Sequence, residues 1–429
     1  MRQCLPIFVC SLLALSLSTV PAFALEPLAR HLESSEKKAF ENREAQAVAT
    51  QREDETSRAW FRLAPAFAVT ATYTRNQYES VVRIPAGTEF RESVIVPNDQ
   101  RDLYLNVTVP LVDVSSWERI GSAKRARDAA QAREKATVLD VKQRVASGYF
   151  NVVGAEAVLS SAKRSLEAAE KNLAYVKTRN AAGMAQELDV RRASAEVERN
   201  HQLVADGELQ VAKSRRALET ASGLAATAGA PELLSALEPE APLASWLAIE
   251  PSTLPQVQAA DAEARALRRE ASATRASLIP TINATGQERF TNAIGFGQAP
   301  YYAIGVSAQL KLDPTTFSNA SAQSEAARAA EIRADYARRQ AQDRIFDAWH
   351  ETRAQIEKSR AARAEVEATA LAAKVAKQRY ESGTATFLDV VTVERDAFRS
   401  EVARISADAS LAYARIALRL LSGRAPGAQ

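Results

Sequence analysis

The chain has 429 residues, of which 25% are charged and only 6% aromatic, and its formal net charge is +3. So small an excess of positive charge gives no argument for a nucleic-acid partner or a strongly anionic surface. Gly (15) and Pro (16) are scarce, a composition that suits long helices. The first residues read as a secretory leader: Arg2, an apolar run from Leu5 to Val20, then Ala22-Phe23-Ala24, with cleavage expected after Ala24. Cys4 and Cys10 both lie in this leader, 1–24. The mature chain is therefore expected to lack disulfides and thiolate metal sites. No later stretch has the 18 or more apolar residues of a membrane helix, so a membrane crossing would have to be a β-barrel.

Residues 26–62 predict one charged helix that opens at Pro27 and ends near Leu63-Ala64-Pro65. The period then changes to two. Phe67, Val69, Ala71 and Tyr73 alternate with Ala68, Thr70, Thr72 and Thr74, which predicts a strand. Residues 75–100 read as a long polar loop, followed by a strand with Leu103, Leu105, Val107, Val109 and Leu111 on one face. A helix is expected over 117–178, about 60 residues and roughly 90 Å long. A Gly183 tip and a second helix to about Ala221 follow. Residues 224–255 are Pro-rich and read as a linker with one short helix.

The second half replays the first. A helix spans about 256–278, and a strand 281–290 places Ile282, Ala284 and Gly286 on one face. The next strand has Tyr302, Ile304, Val306, Ala308, Leu310 and Leu312 on one face and Ala303, Gly305, Ser307, Gln309 and Lys311 on the other. A long helix 317–379, a Gly383 tip and a helix to about Leu421 complete the repeat, with a tail over 424–429. The two repeats thus cover 25–223 and 256–423, with β-hairpins at 66–113 and 281–313 and tips at 180–190 and 380–390.

The two tips match residue for residue. Arg179, Gly183, Leu188, Asp189 and Val190 recur 200 positions later as Arg379, Gly383, Leu388, Asp389 and Val390. Arg215, Leu218 and Ser222-Gly223 recur as Arg415, Leu418 and Ser422-Gly423 at the same offset. So long a match is a duplicated architecture. Pro65 and Pro280 stand 215 apart, so the 15-residue difference lies in the strand connections, where insertions are cheap. One long rod beside two stacked short ones, twice, describes a helical layer without an enzyme-like core. Four strands per chain leave two open edges, which lipid does not tolerate. Three copies supply twelve strands, an even count that closes.

The candidate chemistry is sparse. His31, His201 and His350 are scattered, and no phosphate loop or nucleophile motif is present. No catalytic residue, metal site or cofactor is expected. Asp189 and Asp389 are the exceptions. Thr386-x-x-Asp389 reads as a capping box, but Gln186 stands at the matching place before Asp189, so capping does not explain the pair. Rings of these carboxylates in an oligomer would favour cations and form a gate. Paired helical arms alone fit both a duct and a periplasmic coiled-coil adaptor or scaffold without a pore. The four alternating segments favour the duct.

With its two Gly-x4-Leu-Asp-Val tips, the Pro before each hairpin, and second strands closing in Asp113 and Asp313, the chain resembles the TolC-like outer membrane efflux proteins. The resemblance covers nearly the whole mature chain. It implies a mainly α homotrimer in the Gram-negative outer membrane, with a twelve-stranded barrel continued by an α-helical barrel across the periplasm. It also implies a periplasmic adaptor and an inner-membrane transporter of the RND, ABC or MFS type as partners. The duct would serve tripartite efflux or type I secretion. By the same resemblance Asp189, Asp389 and Tyr380 form the constriction. Gly183, Leu188, Val190, Gly383, Thr384, Leu388 and Val390 then form the tip turns and the docking surface. The sequence departs from the family at Ala385 and Thr392, where polar gate residues are usual.

Overall fold

The computed structural model describes residues 25–424 apart from 87–88, 228, 230–235, 294–300 and 311–312. The expected leader 1–24, the tail beyond Arg424, and Lys311 and Leu312 of the last predicted strand lie outside the described residues. The elements in chain order are α1 (Leu28–Lys38), α2 (Phe40–Phe61), β1 (Ala66–Arg75), β2 (Ser80–Ala86), β3 (Glu89–Val96) and β4 (Asp99–Val112). Then come α3 (Val114–Ala181), α4 (Glu187–Ser222), the short α5 (Leu243–Leu247) and α6 (Pro255–Ala276). The chain ends with β5 (Thr281–Thr291), β6 (Tyr301–Gln309), α7 (Pro314–Glu381) and α8 (Phe387–Leu421).

Three sequence expectations are corrected. The single helix 26–62 is broken at Ala39, whose backbone is extended (φ −60°, ψ 135°). Ala39 is buried in the core cluster at the waist of the molecule, and Asn42 Nδ2 donates to the Ser35 carbonyl at 2.9 Å. Packing of α1 against α3 and α4 therefore overrides a locally good helical sequence. The loop 75–100 is mostly a second antiparallel hairpin, β2–β3. Its charges hid the strand pattern, because Arg83 and Glu92 pair across it at 2.8 Å. The last strand ends at Gln309, short of Leu310.

The long helices begin where Asp113 and Asp313 accept the backbone N–H groups of Ser116 (3.0 Å) and Thr315 (2.9 Å). These two acids, read above as strand endings, are helix N-caps. α3 and α7 have 68 residues each, about 100 Å of helix. Each runs the full length of the molecule and meets a different neighbour at each end. α3 touches α2 through Thr56 and Ala123, and α6 through Glu118 and Arg269. Further along it meets α4 through Glu156 and Arg215, and α8 through Asn172 and Glu394. α7 likewise passes from α6 (Glu331 with Arg268) to α8 (Ser359 with Asp408).

The helices thus form four files: α1, α2 and α4 stacked, then α3, then α6 and α8 stacked, then α7. Buried Ala residues such as Ala264, Ala330 and Ala334 let the α6 and α7 backbones approach closely. The two stacking joints sit at the waist. In one, His31 Nδ1 meets Ser222 Oγ at 3.1 Å, beside Val145, Tyr149 and Leu218. In the other, Trp246, Leu254 and Val257 pack on Ile345 and Leu418. The repeated arginines hold the linker there. Arg215 binds Glu156 at 2.6 Å, and the same carboxylate accepts Gly229 N–H at 3.1 Å. Arg415 binds Glu240 at 3.2 Å and the Glu238 carbonyl at 2.5 Å.

The main sheet has the order β1-β4-β5-β6, all antiparallel. That order repeats the helix files: α2 leads into β1, β4 into α3, α6 into β5 and β6 into α7. Its register separates two faces. Phe67, Val107, Gly286 and Ile304 lie in one row, and Val109, Ala284 and Val306 in the next. On the opposite face Ala68, Asn106, Gln287 and Ala303 share a row, as do Thr70, Tyr104, Arg289 and Tyr301. Arg289 there binds Asp102 at 2.8 Å. Both edges, β1 and β6, are unpaired among the described residues. No helix among the described residues is long and apolar enough to cross a membrane.

Candidate functional site at the helical tips

The sheet stands at one end of the files and the two hairpin tips at the other. Each tip turns on a left-handed glycine, Gly183 at φ 73° and Gly383 at φ 78°. In each, the next residue's N–H closes the turn on the carbonyl of the repeated arginine: Met184 on Arg179 and Thr384 on Arg379, both at 2.8 Å. A side chain at either glycine would meet no neighbour within 4 Å. Glycine is needed there for its backbone angle and not for space. Thr384 adds a hydroxyl bond to the Arg379 carbonyl at 3.2 Å.

The two acids of the repeat have different environments. Asp389 closes a full capping box: its carboxylate accepts the Thr386 N–H (2.9 Å) and hydroxyl (2.8 Å), and its own N–H reaches Thr386 Oγ1 (3.2 Å). The Thr386 hydroxyl, and after it the Thr386 amide, hold this exposed carboxyl below the usual range. Asp189 makes no such box, and Gln186 before it forms no side-chain cap. It is half-buried, with Arg192 at 3.8 Å. It also lies close enough to Tyr380 to add to the upward shift of that phenol, which burial dominates and Arg179 opposes.

Tyr380 is buried between the tips, with its ring centre 5.6 Å from Phe387 and 6.2 Å from Tyr175. Its hydroxyl has no hydrogen-bond partner among the described residues. Around it Val176, Ala193, Phe387, Val390 and Val391 form a small core, against which Val190 and Ala185 pack. Val390 is thus turned into the tip, while Leu188 and Leu388 are about half exposed. Of the predicted docking residues, the exposed ones are Leu188, Leu388, Thr384 and the two glycines. Ala385 is half-buried, and Thr392 uses its hydroxyl on the Leu388 carbonyl at 2.8 Å.

Sequence reasoning missed what ties the first hairpin to the second. Arg179 lies over the rings of Tyr175 (5.7 Å) and Tyr380 (5.2 Å) and donates to the Tyr380 carbonyl at 3.2 Å. It thereby caps the C-terminal end of α7 from α3. Recurrence of Arg179 and Arg379 was the available signal, but the pair has diverged, since Arg379 is exposed. Deeper in the seam, Asn172 Nδ2 donates to both oxygens of Glu394 (2.9 and 2.8 Å), and Arg395 binds Glu196 at 2.5 Å. Burial pushes the Glu394 carboxyl above its ordinary range. Among the described residues no group of three His, Cys, Asp or Glu is placed to hold a metal ion.

A shaft of paired helices beneath an antiparallel sheet with one largely apolar face, interrupted by Glu288 in the row of Val69, Leu105 and Tyr302, is the make-up of an outer-membrane efflux channel. The family model for outer membrane efflux proteins matches residues 37–224 and 252–424, and the chain belongs to that family. No curated protein sequence matches it. Among solved structures, the fold is similar to the Campylobacter jejuni CmeC outer membrane channel (TM-score 0.78, 16% identity, 99% of this chain and 94% of that one). It is also similar to a membrane protein from Pseudomonas aeruginosa (0.76, 22% identity, 94% and 92%). A third similar structure is the open state of the Neisseria gonorrhoeae MtrE outer membrane channel (0.70, 21% identity, 94% and 90%).

Proposed function

We propose that three copies of this chain form a passive exit duct that spans the outer membrane and the periplasm of a Gram-negative cell. The observation that carries this reading is the matched order of strands and helices. The strand edges β1 and β6 continue into the helix edges α2 and α7, so one rotation between copies closes sheet and shaft together. Open strand edges in lipid are costly, and four strands fall short of the smallest barrel, which has about 8. Twelve strands close, with the face of Ile304, Val306 and Ala308 toward lipid and the face of Asn106, Gln287 and Ser307 toward the lumen. The longer connection, with β2–β3, lies outside the cell, and residues 1–24 act as the leader.

In this assembly the tips are the periplasmic constriction. Asp189 and Asp389 line it, Tyr380 supports it from the buried core between the tips, and the exposed Leu188, Leu388 and Thr384 receive a periplasmic adaptor. An inner-membrane transporter of the RND, ABC or MFS type drives the cargo, small molecules or polypeptides, in tripartite efflux or type I secretion. An adaptor or scaffold without a pore would have no use for an amphipathic four-stranded sheet. Purified full-length protein should migrate as a heat-resistant trimer and open stable channels in planar bilayers. A membrane-bound monomer without conductance would overturn the proposal.

A further inference from the structure

We propose that the corner between α2 and α3, directly beneath the sheet, binds the anionic phospholipid headgroups of the periplasmic leaflet. The inference rests on the reading of the sheet as membrane-embedded. Three large aromatic residues are exposed at this corner: Trp60 (44%), Phe61 (72%) and Trp117 (58%). The two indoles pack edge to face, 6.0 Å between centres and 82° between planes. Lys124 Nζ lies 5.0 Å from the Trp60 ring centre. An indole pair on the surface of a helix layer is poorly placed for packing and well placed for the boundary between hydrocarbon and water.

Depth supports the assignment. Trp117 stands five residues past the end of β4, and Phe61 five residues before the start of β1. Trp117 is in the first turn of α3, so at 1.5 Å per helical residue it lies roughly 5–8 Å below the end of β4, and Trp60, in ring contact with it, stands at the same level. A headgroup layer is about 5–7 Å thick on each side of the hydrocarbon. The long side chain of Lys124, two turns further down, reaches up along the Trp60 ring with its ammonium at that ring.

Charge then selects the lipid. Arg58, Arg62, Arg119 and Lys124 form no salt bridge among the described residues. Glu55 pairs with Arg52 at 2.6 Å and Glu118 with Arg269 at 3.4 Å, while Asp113, hydrogen-bonded by Ser115 and Ser116, is the acid that Arg119 faces. In the proposed trimer a neighbouring copy would bring up the start of α7, whose nearest acids are the helix-capping Asp313 and, eleven residues beyond Pro314, Glu325. The other outward-facing corner, at Ile279 and Phe317, has no Trp, and its Arg275 donates to Ser324 at 2.7 Å. One basic and aromatic site per chain, its four cations in no salt bridge among the described residues, therefore fits a phosphate-bearing headgroup rather than a protein surface.

The test uses the full-length protein in nanodiscs of phosphatidylcholine with a rising fraction of phosphatidylglycerol. Tryptophan emission is read against headgroup spin-labelled lipid, with Trp117→Phe to attribute the signal. A fluorophore at Val306→Cys, read against acyl-chain spin labels, reports separately whether the sheet is in lipid. Labelled phosphatidylglycerol should quench the indoles at a lower mole fraction than labelled phosphatidylcholine. In Arg119→Gln and Lys124→Gln the half-quenching fraction should rise about five-fold for each cation removed. Soluble glycerophosphoglycerol should change nothing; protection by it would reassign the site to a free phosphate and overturn the proposal. Equal quenching by both lipids, or quenching by aqueous iodide alone, would overturn it while leaving the duct intact. An unquenched label at Val306 would instead overturn the membrane reading on which it rests.

Discussion

The sheet register makes neighbouring residues of β6 a sharp test. Val306 lies opposite Ala284, and Ala284 opposite Val109, in an unbroken apolar row. Ser307, one residue on, lies opposite Asn283 on the other face. In the single chain every residue of β6 is exposed, so Val306→Arg and Ser307→Arg lose almost no protein contact. Any difference in their effect must come from what each face meets. Val306 is near the middle of the strand, where a lipid-facing Arg costs about 2–4 kcal/mol per chain. At tenfold per 1.4 kcal/mol, this is roughly a 30- to 700-fold loss in the folding equilibrium, repeated in each copy. Ser307→Arg should stay within about 1 kcal/mol, because water solvates it. The assay is folding into vesicles at rising urea, with the heat-resistant trimer read on gels. Equal losses from the two variants would refute the register, and with it the assignment of the lipid face.

Three further outcomes are expected. Asp189→Ala combined with Asp389→Ala should weaken cation selectivity and divalent-cation block in planar bilayers while trimer yield holds, because no core contact is removed; unchanged selectivity would leave both acids as helix-start residues only. Gly223→Ala should lower the melting temperature more than Gly423→Ala. Both glycines have positive φ (65° and 69°), a cost of about 1–2 kcal/mol for a side chain. Only the first would also set a Cβ 2.5 Å from Lys38 Cβ, against 3.7 Å to Leu254 Cδ2 for the second, so equal shifts would contradict the contact. Finally, burial lowers the folded pKa of His31 below its ordinary 6.5, outweighing Glu26. The unfolded chain then binds the extra proton, and stability should be full above about pH 6.5 and fall as pH drops below it. His31→Gln should remove that part of the slope in melts between pH 7.5 and 5.5; identical slopes would show that the waist joint does not titrate.

Much of this architecture was legible in the residues. Alternation at Phe67–Tyr73 and Tyr302–Ala308 marked the strands, because side chains on a strand must alternate between lipid or core and water. Recurrence of Gly183 and Gly383 marked the tips, because only glycine takes a left-handed turn without strain. Pro65, Pro280, Asp113 and Asp313 marked the passages between helix and strand. Local chemistry decides each of these, so sequence alone determined them. The break at Ala39 was not legible, since nothing in its neighbours disfavours a helix; its burial against α3 and α4 decides it. The hairpin β2–β3 was hidden because both of its strands interleave charges, and only their pairing across the turn stabilises them. The tip showed the same division. Asp389 could be read as a cap from Thr386 three residues before it. The turning of Val390 into a core around Tyr380, and the reach of Arg179 from α3 to the end of α7, depend on two hairpins about 200 residues apart in sequence being brought side by side. No local pattern encodes that distance, so only the tertiary structure could decide which repeated residues face solvent and which hold the two tips together.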